Sequence, residues 1–507
     1  MITSELIHNL ISQERQTHLG VACGLGLVLG IALLLLPPLW VLVAVAVLPF
    51  SFAIIKRPEI GLLGIMVLKS TIISEDSLPR IQLGFGRLLI TDIILLVLFG
   101  MIVFRWLVEP GFKINRTPLD APLLAFYALA ILSTLNAILH SSLTINESLG
   151  DVRMINNYLA FFIVTNLVRE ERQLRLVIRG LLILATFVAI AMIVQYLLGP
   201  SVPILPGRVE TLYTEGESFG GVARIIPPGE SLIYVAFITL TVTLALNKFK
   251  PVSWLMFLQW SMLGLAVALT YKRNLWVGVG LAILLLAILS WGKVRLRMLI
   301  GVLAITLLAT ILLLPILSEP GSKVANMVRG SFDRLASLAN LQTFEDPQSS
   351  LRWRDFEYSY ALPQIASHPL TGLGLGSSYR PFVPGKDWAG HDRTRFIHNG
   401  YLHIMVKSGL LAFLCFFSFS LVSLWRGFKF WRQVYDRQFQ AIVLGFTLAF
   451  LGILIGSFVS AMIVKSYWTP VIGIMLGINE VILKFWREKS GIDQAIMIRD
   501  STTVGSS

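Results

Sequence analysis

The chain has 507 residues, of which 55% are hydrophobic and only 14% charged. A soluble globular domain of this length cannot hide that much apolar surface, so repeated bilayer spans are expected. The formal net charge of +13 does not point to nucleic acid, because the basic residues cluster in short segments between apolar stretches, as membrane topology requires. Residues 1–17 are polar, and no small-residue cleavage site follows the next apolar run. That pattern reads as a retained first span rather than a cleaved signal peptide. Cys23 and Cys415 both lie in apolar runs, so neither a disulfide framework nor a thiolate metal site is expected.

A helical crossing needs about 20 mostly apolar residues. Stretches that meet this begin near Leu19, Trp40, Gly61, Leu88, Ala121, Met154, Gly180, Leu232, Trp254, Leu275, Met298, Asn399, Gln438 and Thr469, which makes fourteen. With the N-terminus inside, eighteen Lys and Arg fall on the cytoplasmic connections and eight on the short outer ones. Both termini are therefore expected in the cytoplasm. Residues 318–397, between the eleventh and twelfth spans, then form a large extracytoplasmic loop, and Gly199–Gly229 forms a second outer loop. The tail from Ser501 to Ser507 is polar and reads as disordered. The expected fold is an all-α, polytopic membrane helix bundle of about 14 spans. It divides into N-terminal transmembrane helices (1–198), a core that includes the outer loop (199–425), and C-terminal helices with a cytoplasmic tail (426–507).

Three outer segments carry unusual chemistry. Lys272-Arg273 sits in a tight turn, Tyr271–Asn274, on the side where topology disfavours positive charge. Either these side chains snorkel to lipid phosphate, or Arg273 points inward to hold an anion. The stretch from Ser350 to Leu370 mixes Leu351, Phe356, Tyr360 and Ile365 with Arg352, Arg354, Asp355 and Glu357, as an amphipathic interfacial helix would. Arg352 and Arg354 are two apart, so at most one faces a site; a structural Arg–carboxylate pair is the other reading. Gly372-Leu373-Gly374-Leu375-Gly376 follows Pro369. No strand–turn–helix context supports a nucleotide fingerprint there, and tight turns near a buried site are the better account.

The third segment runs His391-Asp392-Arg393-Thr394-Arg395-Phe396-Ile397-His398-Asn399-Gly400. Asn399 reads as the N-cap of the twelfth span. Backbone N–H groups at that helix start favour a nearby anion and a neutral, proton-accepting His398. His398 could also be a structural interfacial residue. Asn399, His403 and Lys407 recur every four residues and share one helix face, the bundle-facing one by the cost of charge in lipid. Metal binding is not expected, since His8, His18 and His140 lie far away and no HxxH or HExxH spacing exists. No nucleophile elbow supports acyl transfer.

At these residues the chain resembles the O-antigen ligase and polysaccharide polymerase superfamily of membrane glycosyltransferases, over about Arg224 to Gly409. The family's late motif resembles His398-Asn399 followed by Gly409, with Ala412 a departure from the usual Gly, Thr or Tyr. Its Arg, aromatic, Pro and Gly-x-Gly series resembles Arg354, Tyr358, Pro369 and Gly372-Leu373-Gly374, with Tyr for the more usual Trp. Its Ser-Arg turn looks like Lys272-Arg273, and an outer-loop Arg resembles Arg224. The resemblance does not account for the additional N-terminal spans.

The resemblance implies a glycan donor on undecaprenyl diphosphate and a hydroxyl acceptor on a glycan, lipid or protein. The reaction implied is inverting, and needs no nucleotide, metal or other cofactor because the lipid carries the activated sugar. His398 is then the expected base. Arg273, Arg354 and Arg224 are the expected diphosphate clamp, with Asn399, Arg352, Lys272 and Arg395 in support. Guanidinium suits phosphate because it is a permanent, bidentate cation. The implied place is the outer face of a bacterial inner membrane. Ligase and polymerase remain alternatives, and an inorganic-anion carrier is a third.

Overall fold

The computed structural model describes residues 52–71, 73, 75, 78, 81–83, 86–141, 143–199, 201–202, 204–214, 217–247, 253–290, 323–336, 350–384 and 394–504. The spans expected from Leu19, Trp40 and Met298 lie outside them, as do His391, Asp392 and Arg393. The chain divides into two compact units, 1–60 and 61–507, and the elements that build the site belong to the second.

In order, the described elements are α1 (Pro58–Ser70), a short hairpin of β1 (Ile81–Leu83) and β2 (Gly86–Leu88), α2 (Ile90–Val108), α3 (Asp120–His140), α4 (Ile145–Asn156), α5 (Leu159–Leu167) and α6 (Glu171–Leu198). A longer hairpin of β3 (Arg208–Thr214) and β4 (Glu217–Ile226) follows, then α7 (Glu230–Leu246), α8 (Trp254–Leu269), α9 (Arg273–Leu289) and α10 (Lys323–Ala336). The chain continues through α11 (Ser350–Ser367), α12 (Gly400–Phe430), α13 (Arg437–Gly456) and α14 (Thr469–Val504).

This is a helical membrane protein. Among the described residues, six helices are long and apolar enough to cross a bilayer: α2, α3, α6, α12, α13 and α14 through Lys489. Three shorter apolar helices, α7, α8 and α9, begin within two residues of the starts expected at Leu232, Trp254 and Leu275. Elsewhere the expected spans change shape for visible reasons. The helix expected from Gly180 starts nine residues earlier, at Glu171, because Gln173 Oε1 accepts the Glu170 N–H (3.2 Å) and closes a first turn around the arginines. The stretch expected to cross from Met154 is two short helices instead. Their junction turns at Asn157, whose Nδ2 donates to Ser466 O (3.1 Å), and at Tyr158, whose hydroxyl donates to Ile463 O (2.7 Å).

The hairpins are a departure from an all-helical fold. In the outer segment Gly199–Gly229, β3 pairs antiparallel with β4 and sets Glu210 opposite Arg224, with a bulge between Thr211 and Leu212. Within the helical unit, α12 packs along α3, α13 along α7 and α9, and α14 along α5. Aromatic rings on α12 knit it to two neighbours: Phe416 meets Phe126 of α3 at 5.2 Å, and Phe419 meets Phe161 of α5 at 6.1 Å.

α12 is broken inside its own length. Gly409 adopts φ 82°, ψ 171°, which only glycine takes without strain. The carbonyls freed by the break are capped by the glycine-rich loop. Leu373 N–H donates to Val406 O (2.8 Å), Gly374 N–H to Lys407 O (2.9 Å), and Leu410 N–H reaches back to Pro369 O (2.8 Å). Gly372, Gly374 and Gly376 all have positive φ, as tight turning demands. This stitch sets residues 400–408 apart as a half-helix whose start is held by α11.

Candidate functional site

His398 immediately precedes the Asn399 cap of that half-helix. Asn399 fixes the turn, its Oδ1 accepting the N–H groups of Tyr401 (3.0 Å) and Leu402 (3.2 Å). The imidazole Nδ1 lies 2.7 Å from Glu357 Oε1, and the His398 backbone N–H donates to Glu357 Oε2 (2.9 Å). Glu357 is fully buried, whereas the His398 side chain is 35% exposed. Trp353, one turn earlier on α11, donates its indole N–H to Glu357 Oε1 (2.9 Å). In the sequence Glu357 shows only as part of an amphipathic stretch or of a structural Arg–carboxylate pair.

α11 makes two more ties with the same face. Arg354 Nε and Nη2 both donate to Val459 O, at 3.0 and 2.6 Å. Tyr358 accepts from Asn399 Nδ2 (3.1 Å) and donates to Phe458 O (3.4 Å). Residues 353 and 357, and 354 and 358, are each one turn apart, so α11 grips the start of α12 and the turn after α13. Arg352, two residues from Arg354, is exposed. The pair therefore divides as helical geometry requires, with Arg354 inward.

Several guanidinium groups feel one another's charge in the neighbourhood of Arg354. Burial pulls its pKa down, Glu357 supports it, and Arg273 repels it. Arg273 is the first residue of α9, just past Tyr271, which takes φ 48° to make the tight turn. Arg334 on α10 donates to Tyr271 O (3.5 Å) and is nearly buried. Burial lowers its pKa to about 10, with repulsion from Arg224 and Arg273 next in size. Arg224 on β4 pairs with Glu210 at 3.2 Å, and burial is the largest influence lowering its pKa. Of the cations chosen from sequence, Arg273 is thus within electrostatic reach of Arg354, and both Arg273 and Arg224 are within reach of Arg334. The sequence reading missed Arg334, which shows no motif and owes its place to tertiary packing.

Lys465 belongs to the same neighbourhood. It lies in the connection between α13 and α14, its ammonium donates to Ser460 Oγ (3.2 Å), and it sits 6.0 Å from the Phe396 ring. That ring is 5.2 Å from the His398 imidazole. Burial brings the pKa of Lys465 down to about 7, helped by repulsion from Lys272 and Arg354. Two expected supporting cations are engaged elsewhere. Lys272 donates to both Glu230 oxygens at 2.7 Å, with the Trp468 indole a further donor at 3.0 Å. Arg395 bonds Glu147 on α4 at 2.6 Å.

His403 and Lys407 follow one and two turns inside α12, both buried. They lie 3.9 and 4.0 Å from Asp151, which also accepts the Gly376 N–H (2.9 Å). The space between them is about 10 Å³, room for one water and no substrate.

The model of the family described as O-Antigen ligase matches residues 257–417. The matched stretch holds Arg273, Arg354, Glu357, His398 and Gly409, and leaves Arg224 and Lys465 outside. No curated protein matches the chain.

Proposed function

We propose, on the premise that residues 257–417 are of the O-antigen ligase superfamily, that this membrane protein transfers a glycan from undecaprenyl diphosphate to a hydroxyl acceptor in cell-surface polysaccharide synthesis. The observation that carries the reading is one juxtaposition. A partly exposed imidazole, anchored to Glu357 on one edge, stands near Arg354, which lies within electrostatic reach of Arg273, as does Arg334. That arrangement suits a reaction in which a proton leaves one reactant while negative charge grows on another.

The acceptor hydroxyl is a poor nucleophile until its proton is withdrawn. His398 takes that proton as the acceptor oxygen attacks C1 of the donor sugar, a role typically worth ~10²–10⁴ in rate. The C1–O bond to the diphosphate breaks, and its electron pair leaves with the lipid diphosphate. Arg273 and Arg354 hold that growing charge, with Arg224 behind them; fixed cations already in place need no reorganisation at the moment of transfer. Direct displacement inverts the anomeric centre. The lipid supplies the activated sugar, so the chemistry calls for neither nucleotide nor metal. The reading sets the site on the outer leaflet of a bacterial inner membrane, with both termini in the cytoplasm.

One observation favours a carrier instead: α12 is discontinuous and holds buried charge near the break, as transport helices do. Yet the break is closed by the loop at residues 369–374, and the space beside His403 admits a single water. Transfer is therefore the stronger reading.

Purified protein given a lipid-diphosphate glycan and an acceptor should release free undecaprenyl diphosphate. His398→Ala should abolish release while membrane abundance is unchanged. Loss of folded protein in step with activity would return His398 to a structural role. In a deletion strain, single repeat units without a ladder indicate a polymerase, and an unattached lipid-linked polymer indicates a ligase.

A further inference from the structure

We infer that Glu357 is the positioning residue of the base, holding His398 in the tautomer with hydrogen on Nδ1 so that Nε2 is open to the acceptor. The inference rests on the reading of His398 as base. Its ground is a count of donors around one buried carboxylate. Oε1 accepts from the Trp353 indole (2.9 Å) and faces His398 Nδ1 (2.7 Å), while Oε2 accepts the His398 backbone N–H (2.9 Å). An indole N–H and a backbone amide can only donate. Both oxygens thus already accept a hydrogen, and in the proposed arrangement the imidazole nitrogen facing Oε1 brings the hydrogen of the third contact. Nδ1 carries it, and Nε2 keeps a lone pair.

Exposure gives the arrangement its direction. Glu357 is sealed from solvent behind the ring, whereas His398 remains 35% exposed. The anion therefore sits on the closed side, and the imidazole edge left for a reactant is the opposite one. Two further ties keep the ring from turning. The indole, one turn away on α11, fixes the carboxylate, and the backbone bond fixes the carboxylate to the residue preceding the Asn399 cap. During transfer the acceptor's proton goes to Nε2, and the imidazolium later passes it to water. The Nδ1 hydrogen stays where it is, and Glu357 remains ionised throughout as the counter-charge.

Two substitutions separate chemistry from packing. Glu357→Gln keeps the volume but turns one acceptor end into a donor, so it cannot receive all three hydrogens. Glu357→Asp loses a methylene but keeps acceptors only. With purified protein and the lipid-diphosphate glycan, E357Q should lower kcat roughly 10²–10⁴-fold with donor KM little changed, and E357D should recover part of that loss. Nitrogen NMR of histidine-labelled wild type should show the Nδ1–H tautomer at His398, and E357Q should lose it. The reverse order of activity, with Gln better than Asp, overturns the inference, as does an Nε2–H ring in the wild type. If E357Q fails to accumulate, the wild-type tautomer decides. An active H398A removes the base reading itself; an inactive H398A beside a fully active E357Q removes this inference alone.

Discussion

Gly372 lies against the backbone of Gly409, and neither position has room for a side chain. A Cβ on Gly372 would fall 2.7 Å from Gly409 N, and one on Gly409 would fall 2.1 Å from Leu370 O. The contact is what lets a membrane helix stop and restart while the Val406 and Lys407 carbonyls beside the break find donors. Gly409→Ala should therefore destabilise by about 1–3 kcal/mol from backbone strain alone, and by more from the overlap. Thermal unfolding in detergent should show a clear fall in Tm, accompanied by lower abundance. An unchanged Tm would mean that the stitch is not needed.

Arg273 offers a test of geometry as opposed to charge. A bidentate grip on a diphosphate requires the planar guanidinium fork, which an ammonium lacks. Arg273→Lys should lower turnover by roughly 10²–10³-fold, the usual effect of removing one fixed charge-stabilising contact. The release assay measures it directly. Full activity of the Lys variant would count against the clamp.

Lys272 and Glu230 form a buried pair, 11% and 0% exposed. Removing only Lys272 leaves a carboxylate in the interior held by the neutral Trp468 indole and Tyr467 hydroxyl. Lys272→Met should cost about 3–5 kcal/mol, the usual penalty for stranding a buried charge. The double variant K272M/E230Q should be milder, because neither half of the pair is left charged without the other, and Lys465 loses a repelling cation together with an attracting carboxylate. Comparing the two Tm values checks the coupling; equal losses would dissolve it.

Lys465 sets a pH dependence whose sign can be worked out. Its folded pKa, near 7, lies below its ordinary value of 10.5, chiefly through burial. Between those values the unfolded chain binds the proton and the folded chain releases it, so stability rises with pH across that window and the gain is absent below about 7. Tm should climb between pH 7 and 9, and Lys465→Met should flatten the climb. A wild-type Tm that falls over this range would contradict the burial of the ammonium.

Much of the helical frame is legible in the sequence. The starts of α3, α8, α13 and α14 fall within a residue of those read from hydropathy, since long apolar runs bounded by charge leave little choice. The Asn399 cap and the Tyr271–Asn274 turn were legible too, being local events. What escaped was set by distant partners. The break between α4 and α5 depends on Ser466 and Ile463, some three hundred residues away. Glu357 and Arg334 belong to no motif that spacing alone could single out, and each acquires its place only when α10 and α11 dock. The β3–β4 hairpin was hidden by its glycines, which read as loop.

Asn399 spends its amide oxygen on the start of α12 and its amide nitrogen on the hydroxyl of Tyr358, in a different helix. Serine could replace the first function but not the second, and aspartate could cap but has no hydrogen to offer Tyr358. The two positions are thus bound to drift together through evolution. Across related chains, an amide at the one should travel with a hydroxyl-bearing ring at the other, a covariation that a future alignment can count.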